Sequence, residues 1–565
     1  MRLPTFALFT LVALCVGACR SAPAEQPPAP ASTKAPSPPV PLEPLGFGQH
    51  HHPIRTSNAE AQKMFDQGLA QAFGFNHEAA IRSFERAAEL DPFAAMPHWG
   101  RAWALGPNYN LDIDDARAKV AYDTLAKAQS LLASAPGDSA QGRSDVERDY
   151  VQSLAARYSA DPKADRAALA RAFSRAMGDL SRRYPDDLDA AVIYAESLMN
   201  LTPWKLWTSN GTPASNTELI VGLLESVMLR NPSHLGANHF YIHAVEASRT
   251  PARALPSAQR LSAISESSGH LLHMPAHIYA RTGDHAGAAT ANAAGAAADR
   301  RYLVTAPANG TYGMMYYPHN LHFLADSHMM QGRFADAKQA ADRVAEQLNP
   351  HAAMMPMVES MVVMPVSVLV RFGRYGDVLA LQAPPPERTV QGAWHHFARG
   401  TALAKTGKID EAAAERNLLT TAMAAVPETA AFGGGGWATA ASALNVAALS
   451  LDARIAGARG EHDRAIKYWQ EAVAEADQLP YDEPPVWFYP VRESLGAAFL
   501  AAGRDADAER VFREDLVKHP RNARSLFGLQ AALTKQGKEV NAMWVQREFN
   551  DAWKNADTKL TLDDF

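Results

Sequence analysis

The chain has 565 residues, 54 Lys and Arg against 60 Asp and Glu, a formal net charge of −6 and only 2 cysteines. So mild a charge, with no basic run and no basic patch interleaved with aromatics, excludes nucleic acid as a partner class. Hydrophobic residues make up 47% of the chain, enough for a large core. After the N-terminus they never gather into the stretch of about 18 that a membrane-spanning helix needs.

Residues 1–18 read as an export signal. Arg2 supplies positive charge, and Phe6 to Val16 form an apolar core too short for a permanent anchor. The stretch ends Val16-Gly17-Ala18-Cys19, which resembles a bacterial lipobox. That resemblance implies cleavage before Cys19 and lipidation of its thiol; the alternative is an ordinary signal peptide that ends in Cys. Arg20 is not the Asp that retains lipoproteins in the inner membrane, so the expected location is the outer membrane, facing the periplasm. Cys15 leaves with the signal, so no thiolate is left to bind metal or act as nucleophile. Residues 19–46, rich in Pro, Ala and Ser, read as a disordered tether.

From 47 to 565 the chain is Ala-rich, with apolar residues at helical spacing and Gly-Arg, Gly-Asp or Gly-Lys breaks. In residues 59–92, Gly68, Ala80, Phe84, Ala87 and Pro92 follow the pattern of small, aromatic and terminating residues of a tetratricopeptide (TPR) repeat. In LGAAFLAAGRDADAERVFREDLVKHP, Leu495, Gly496, Phe499, Gly503, Ala508, Phe512 and Pro520 do the same. Gly283, Gly332, Gly373, Gly407, Gly460 and Gly537 stand at the turn between two helices in similar units, and the pattern loosens between about 100 and 260. The predicted fold is all-α: a curved TPR-like α-solenoid of antiparallel helix pairs, first helices lining the concave side. GFNHEAAIRSFERAAELDP, NHFYIHAVEAS, HLLHMPAHIYARTGD and YYPHNLHFLA together resemble a family of exported, His-rich bacterial TPR lipoproteins with no established activity.

Three of the expected first helices carry inward stripes of imidazole and carboxylate. His270, His273 and His277 lie 13, 10 and 6 residues before Gly283; His319, His322 and Asp326 lie 13, 10 and 6 before Gly332. In NHFYIHAVEASRT, His239, His243 and Glu246 repeat the pitch, with Arg249 in the glycine's place. Steps of three and four residues set each group on one helix face, and packed helices lie close enough for ligands to converge on one or two ions. Nitrogen and oxygen donors without sulfur suit Zn, Fe, Mn or Cu. HExxH is absent, so the zincin protease pattern is excluded. Such a site could make the protein a metalloenzyme, with metal affinity weakening as pH falls through about 6. The alternative is a non-catalytic scaffold that holds an envelope protein or peptide in a polar groove.

The remaining chemistry-bearing residues have blander readings. His50, His51 and His52 sit where the tether ends and read as solvated chain or a weak metal contact; His98, His395 and His396 read as helix packing. Met354, Met355, Met357, Met361 and Met364 hint at copper but at helical spacing read as core, and Glu359 is a weak groove candidate. Tyr109, Trp204 and Trp207 either wall a pocket or anchor loops. FGGGGW at 432–437 lacks the Lys-Ser/Thr of a phosphate loop and reads as a flexible connector.

Overall fold

Glycine-punctuated helical periodicity becomes, in the computed structural model, a succession of antiparallel helix pairs from Ala59–Phe73 to Glu539–Ala552. The structure describes residues 50–134, 143–265, 267–306, 310–435 and 437–565. The export signal, the tether, Cys19 and most of the APGDSAQGR loop lie outside them. All described residues belong to one compact unit, Leu42–Phe565.

Close approach at small residues builds the repeat. Phe84, on helix His77–Leu90, fills the space between Gly68 on Ala59–Phe73 and Gly100 on Met96–Leu105. A Cβ on either glycine would sit 2.7 or 2.5 Å from the Phe84 ring. Near the other end, Phe512 of Asp505–Lys518 lies between Gly496 and Gly528, where an added Cβ would come within 2.5 and 2.1 Å of it. The aromatic of the second helix thus keys into glycines of the first helices on either side, as the TPR pattern requires. The predicted turn glycines share one conformation: Gly283, Gly332, Gly373, Gly407, Gly460, Gly503 and Gly537 all have φ between 63° and 82°. That left-handed region is open to glycine and strained for most other residues.

Each helix packs on its sequence neighbours, and Ala59–Phe73 also packs on Leu235–Val245, far along the chain. A continuous apolar core runs through the C-terminal repeats from Ala325 to Phe565. Strand is confined, among the described residues, to a short hairpin pairing Ala431–Phe432 with Ala438–Thr439. No described helix is long and apolar enough to cross a membrane.

Two segments differ from expectation. The Met-rich run is divided among short elements, Pro356–Val358, Glu359–Val362 and Met364–Arg371. Met361 and Met364 are buried as expected, but Met354 and Met357 are exposed because the broken helices leave no single inward face. Glu359 does not serve the groove: its carboxylate accepts the N–H groups of Val390 and Gln391 at the start of helix Thr389–Lys405.

Candidate metal centre

Four helices, two of them halves of one broken stripe, deliver the histidines. Helix Leu235–Val245 is buried along its whole length, with His239, His243 and, at its C-terminal end, Glu246 in its interior. Gly236 lets Phe73 approach, since a Cβ there would lie 2.6 Å from that ring. The second stripe is broken by Pro275 into Gly269–His273 and Pro275–Arg281; His270 and His273 come from the first piece and His277 from the second. Helix Tyr317–Met330, entered through a π-helical turn at Tyr312–Tyr316, supplies His319.

These side chains form adjoining groups whose ligand atoms lie within 4.8 Å of one another: His239 with His243 and His270; His273 with His277 and His319; His243 with Glu246 and His277. Ring centroids stand 4.9 Å apart for His239 and His270, 4.5 Å for His273 and His277, and 4.7 Å for His273 and His319. His322 and Asp326, on the same stripe as His319, belong to none of these groups. Asp326 feels Arg371 and His519 instead, which places it toward the C-terminal repeats.

Hydrogen-bond partners at Nδ1 assign the free nitrogen of His239, His243, His273 and His277. His239 Nδ1 donates to the Phe73 carbonyl at 2.5 Å, leaving the Nε2 lone pair facing His270 Nε2 at 3.0 Å. His273 Nδ1 donates to Asn292 Oδ1 at 2.5 Å, and Asn292 Nδ2 is directed to Ser327 Oγ. Glu246 accepts from His277 Nδ1 at 2.6 Å and from His243 Nδ1 at 3.0 Å. In the tautomers with both Nδ1 positions protonated, His273 and His277 present bare Nε2 lone pairs to each other across 2.6 Å; His319 Nε2 joins them 3.0 Å from His273 Nε2. Facing lone pairs repel; a cation between them converts the repulsion into coordination. Metal–nitrogen bonds of about 2.0–2.1 Å in a tetrahedral set hold ligand nitrogens about 3.3 Å apart, so the rings need part by less than an ångström. A carbonyl, an amide or a carboxylate orienting the far nitrogen is the usual support of a metal-binding imidazole.

Electrostatics favour the ligand state. Burial pushes the imidazoles of His239, His270, His273 and His277 well below their ordinary range, helped by neighbouring histidines. Burial lowers His243 to about 3 and His319 to about 4. All are neutral at pH 7, as metal ligation requires. A carboxyl not singled out from sequence, Glu483, reaches the same place from the loop after helix His462–Gln478: it contacts His277 Nδ1 and hydrogen-bonds Glu246. Burial raises both carboxyls well above their ordinary range, and a hydrogen bond joins them, so the pair holds a proton between them.

Aromatic rings enclose the cluster. Phe75 packs on His239, His243 and His270, and Tyr316 lies 4.8 Å from His270. Tyr109 and Trp204 lie 5.3 and 5.9 Å from His243, so they wall the cluster; Trp207 anchors its loop by donating to the Ala244 carbonyl. The described glycines of FGGGGW form no loose connector: Gly435 N–H donates to Asp482 Oδ1, and Gly433 C=O accepts from Ser360. They hold the Asp482-Glu483 loop in place. No repeat spacing marks Glu483; its only sequence signal is an acidic pair set in an aromatic and proline-rich loop, YDEPPVWFY.

A second group forms around Asp189. His50 and His52, expected as solvated chain, are instead drawn to this buried carboxylate, together with His234, at 3.1, 2.8 and 3.1 Å. They line a cavity of about 610 Å³. Only His51 is well exposed, and it pairs with Asp66. The chemistry here is opposite to that of the cluster. His234 Nδ1 accepts the Ala237 N–H as a helix cap, so its Nε2 carries the proton and donates to Asp189. Burial opposes protonation of His52, but the hydrogen bond and charge of Asp189 outweigh it and raise the ring to about 9, while Asp189 is held well below the carboxylate range. Without a metal, His52 and Asp189 form an ion pair; the ligand atoms of His50, Asp189 and His234 also lie within 4.8 Å of one another, close enough to hold an ion. Elsewhere, His395 is buried in its helix and His396 bonds Glu415, in keeping with packing roles.

No protein-family profile matches the chain, and no curated protein matches it. Among solved structures, the human IFIT1 dimer with m7Gppp-AAAA shares 12% identity over 88% of this chain and 91% of that chain, with a TM-score of 0.31. The same dimer with PPP-AAAA shares 12% identity over 88% and 92%, at 0.29. Yeast Tom70 shares 9% identity over 88% and 92%, at 0.28. Likenesses this distant carry no functional information about this chain.

Proposed function

We propose that this helical-repeat protein binds transition-metal ions in its interior, at two adjoining subsites. His239, His243 and His270 serve one, and His273, His277 and His319 the other. Glu246 and Glu483 supply carboxylate beside both. The single observation that carries this reading is the His273–His277 pair: two neutral imidazoles, each with its proton committed elsewhere, aim lone pairs at each other in a buried site. Packing alone gives no reason for that arrangement, because buried polar atoms without a partner are costly. An all-nitrogen-and-oxygen donor set fits Zn, Fe, Mn or Cu. A bound ion with an open position would polarise a substrate or activate water, and enzymatic activity is part of the proposal. His322 and Asp326 lie outside the ligand set.

The N-terminal pattern supports placing the protein in the cell envelope, anchored through lipidated Cys19. Substituting Cys19→Ser is expected to move it from the membrane to the soluble fraction. A second reading, an adaptor for an envelope protein or peptide, is supported by the helical-repeat architecture, which suits protein interaction.

Elemental analysis of protein purified without metal-affinity resin tests the first reading. Stoichiometric transition metal is expected in the wild type and in His322→Ala, and is expected to fall away in His273→Ala and His277→Ala. Metal-free wild type that still captures envelope partners would leave the adaptor reading standing alone.

A further inference from the structure

His50, Asp189 and His234 converge apart from the interior cluster. Asp189 Oδ1 is their shared point: His50 Nε2 and His234 Nε2 each stand 3.1 Å from it. Around a tetrahedral ion with bonds of about 2.0–2.1 Å, ligand atoms are about 3.3 Å apart, so the spacing already suits one ion. Three segments supply the donors. His50 comes from the segment before helix Ala59–Phe73, Asp189 from the first turn of Leu188–Met199, and His234 from the cap of Leu235–Val245. The Phe73 ring packs on both imidazoles, at 5.3 and 5.7 Å between centroids.

His50 is not accounted for by hydrogen bonding. Its side chain is 10% exposed, and its buried Nε2 lies near Asp189 Oδ1 but off the line that a hydrogen bond needs, so that it has no partner. Asp189 Oδ1 already accepts the His234 proton, and Oδ2 is engaged by His52 at 2.8 Å. Other buried histidines, His77 and His285 among them, also carry an unpaired ring nitrogen. Outside the cluster, however, His50 alone among the described residues combines such a nitrogen with a place in a group of convergent donors. A cation touching both His50 Nε2 and the carboxylate would remove the cost of that unpaired atom. The adjoining cavity of about 610 Å³ gives an ion a way in and leaves room for water at a fourth position.

We propose that His50, Asp189 and His234 bind one exchangeable divalent transition-metal ion of the zinc class, which staples the segment before the first helix to the two helices that carry Asp189 and His234. This goes beyond the interior cluster and does not depend on it. His50 ligates through Nε2 with its proton on Nδ1. The His234 proton moves from Nε2 to Nδ1, and the 3.2 Å contact from the Ala237 N–H is given up. Asp189 ligates through Oδ1 and keeps His52 on Oδ2. The lost cap contact makes this a weaker, exchangeable site.

Zinc titration of chelator-treated full-length protein against a chromophoric chelator tests the staple. Wild type is expected to bind one more zinc ion per chain than His50→Ala or Asp189→Asn. His51→Ala is expected to match wild type, since that ring is exposed and pairs with Asp66. Adding His50→Ala to a His273→Ala/His277→Ala background should again remove one ion. Trypsin cleavage after exposed Arg55 supplies a second readout. An ion that binds only the closed segment slows it by up to about 100-fold at a free concentration 100-fold above Kd, in wild type and not in His50→Ala. Zinc count and cleavage both unchanged by His50→Ala would overturn the staple, whatever the interior cluster binds. Equal loss in His51→Ala would mark an unspecific surface ion and overturn it too. Zinc lost in His50→Ala but unchanged in His273→Ala/His277→Ala would keep the staple and overturn the interior reading.

Discussion

Single side chains decide the chemistry of the cluster through their far nitrogens. Asn292 matters because its oxygen takes the His273 Nδ1 proton and so frees Nε2. Asn292→Ala is expected to lower metal affinity by about 10–100-fold, read by competition with a chromophoric chelator; unchanged affinity would mean that the tautomer is set elsewhere. Histidine stripes were legible in the sequence because helical pitch and distance from the turn glycine fix which face a residue occupies. His322 and Asp326 obey the same count yet join no ligand group, because a stripe is longer than the reach of one ion. Glu483 could not be read, since its position is set by a loop that has no periodicity.

Residue chemistry also sets two opposite pH dependences. Burial lowers the cluster imidazoles in the folded state, so unfolding takes up protons. Stability of metal-free protein is therefore full above the unfolded histidine range, about 6.5, and falls as pH drops below it. Since the folded rings of His243 and His319 stay neutral down to about 3 and about 4, metal loss near pH 6 is not expected from direct ring protonation. Loss at lower pH is expected to coincide with unfolding, followed by circular dichroism and metal release together; release from still-folded protein at pH 6 would contradict this. His52 behaves the other way. Its folded value is raised to about 9, so the stability it adds with Asp189 is complete below about 6.5 and is lost as pH rises through about 9. The destabilisation caused by His52→Ala in denaturant melts should be larger at pH 6 than at pH 10.

Elements are positioned by close approach more than by helix propensity. Phe512 keys between Gly496 and Gly528, so Gly496→Ala is expected to cost about 1–3 kcal/mol through overpacking, measured by urea unfolding. A neutral effect would show that the ring has room to move. These keys were readable at both ends of the chain because small and aromatic residues there recur at repeat spacing. The Met-rich run was not, because Pro and irregular spacing divide it into short pieces whose exposed and buried faces alternate within a few residues. The break at Pro275 also escaped a reading based on one continuous helix; it lets His273 and His277 belong to different pieces and still meet.

Taken whole, the molecule is a row of helix pairs in which distant segments converge on one interior point. The end of helix Ala59–Phe73, the four histidine helices and the loop carrying Glu483 all meet there. Metal binding to folded protein alone then stabilises the entire assembly, by about 2.7 kcal/mol at a free concentration 100-fold above Kd. Adding metal to chelator-treated protein should raise Tm, and His277→Ala should abolish the rise. The fold class followed from repeat spacing; the convergence did not, because it depends on contacts between residues more than a hundred positions apart.

The most direct measurement is an anomalous difference map from crystals of protein purified without added metal, collected across transition-metal edges. Peaks bounded by the Nε2 atoms of His273, His277 and His319, and by the nitrogens of His239, His243 and His270, are expected at about 2.0–2.2 Å from their ligands. A map with no peak inside the ring of histidines, or with metal only at the Asp189 group, would contradict the central claim.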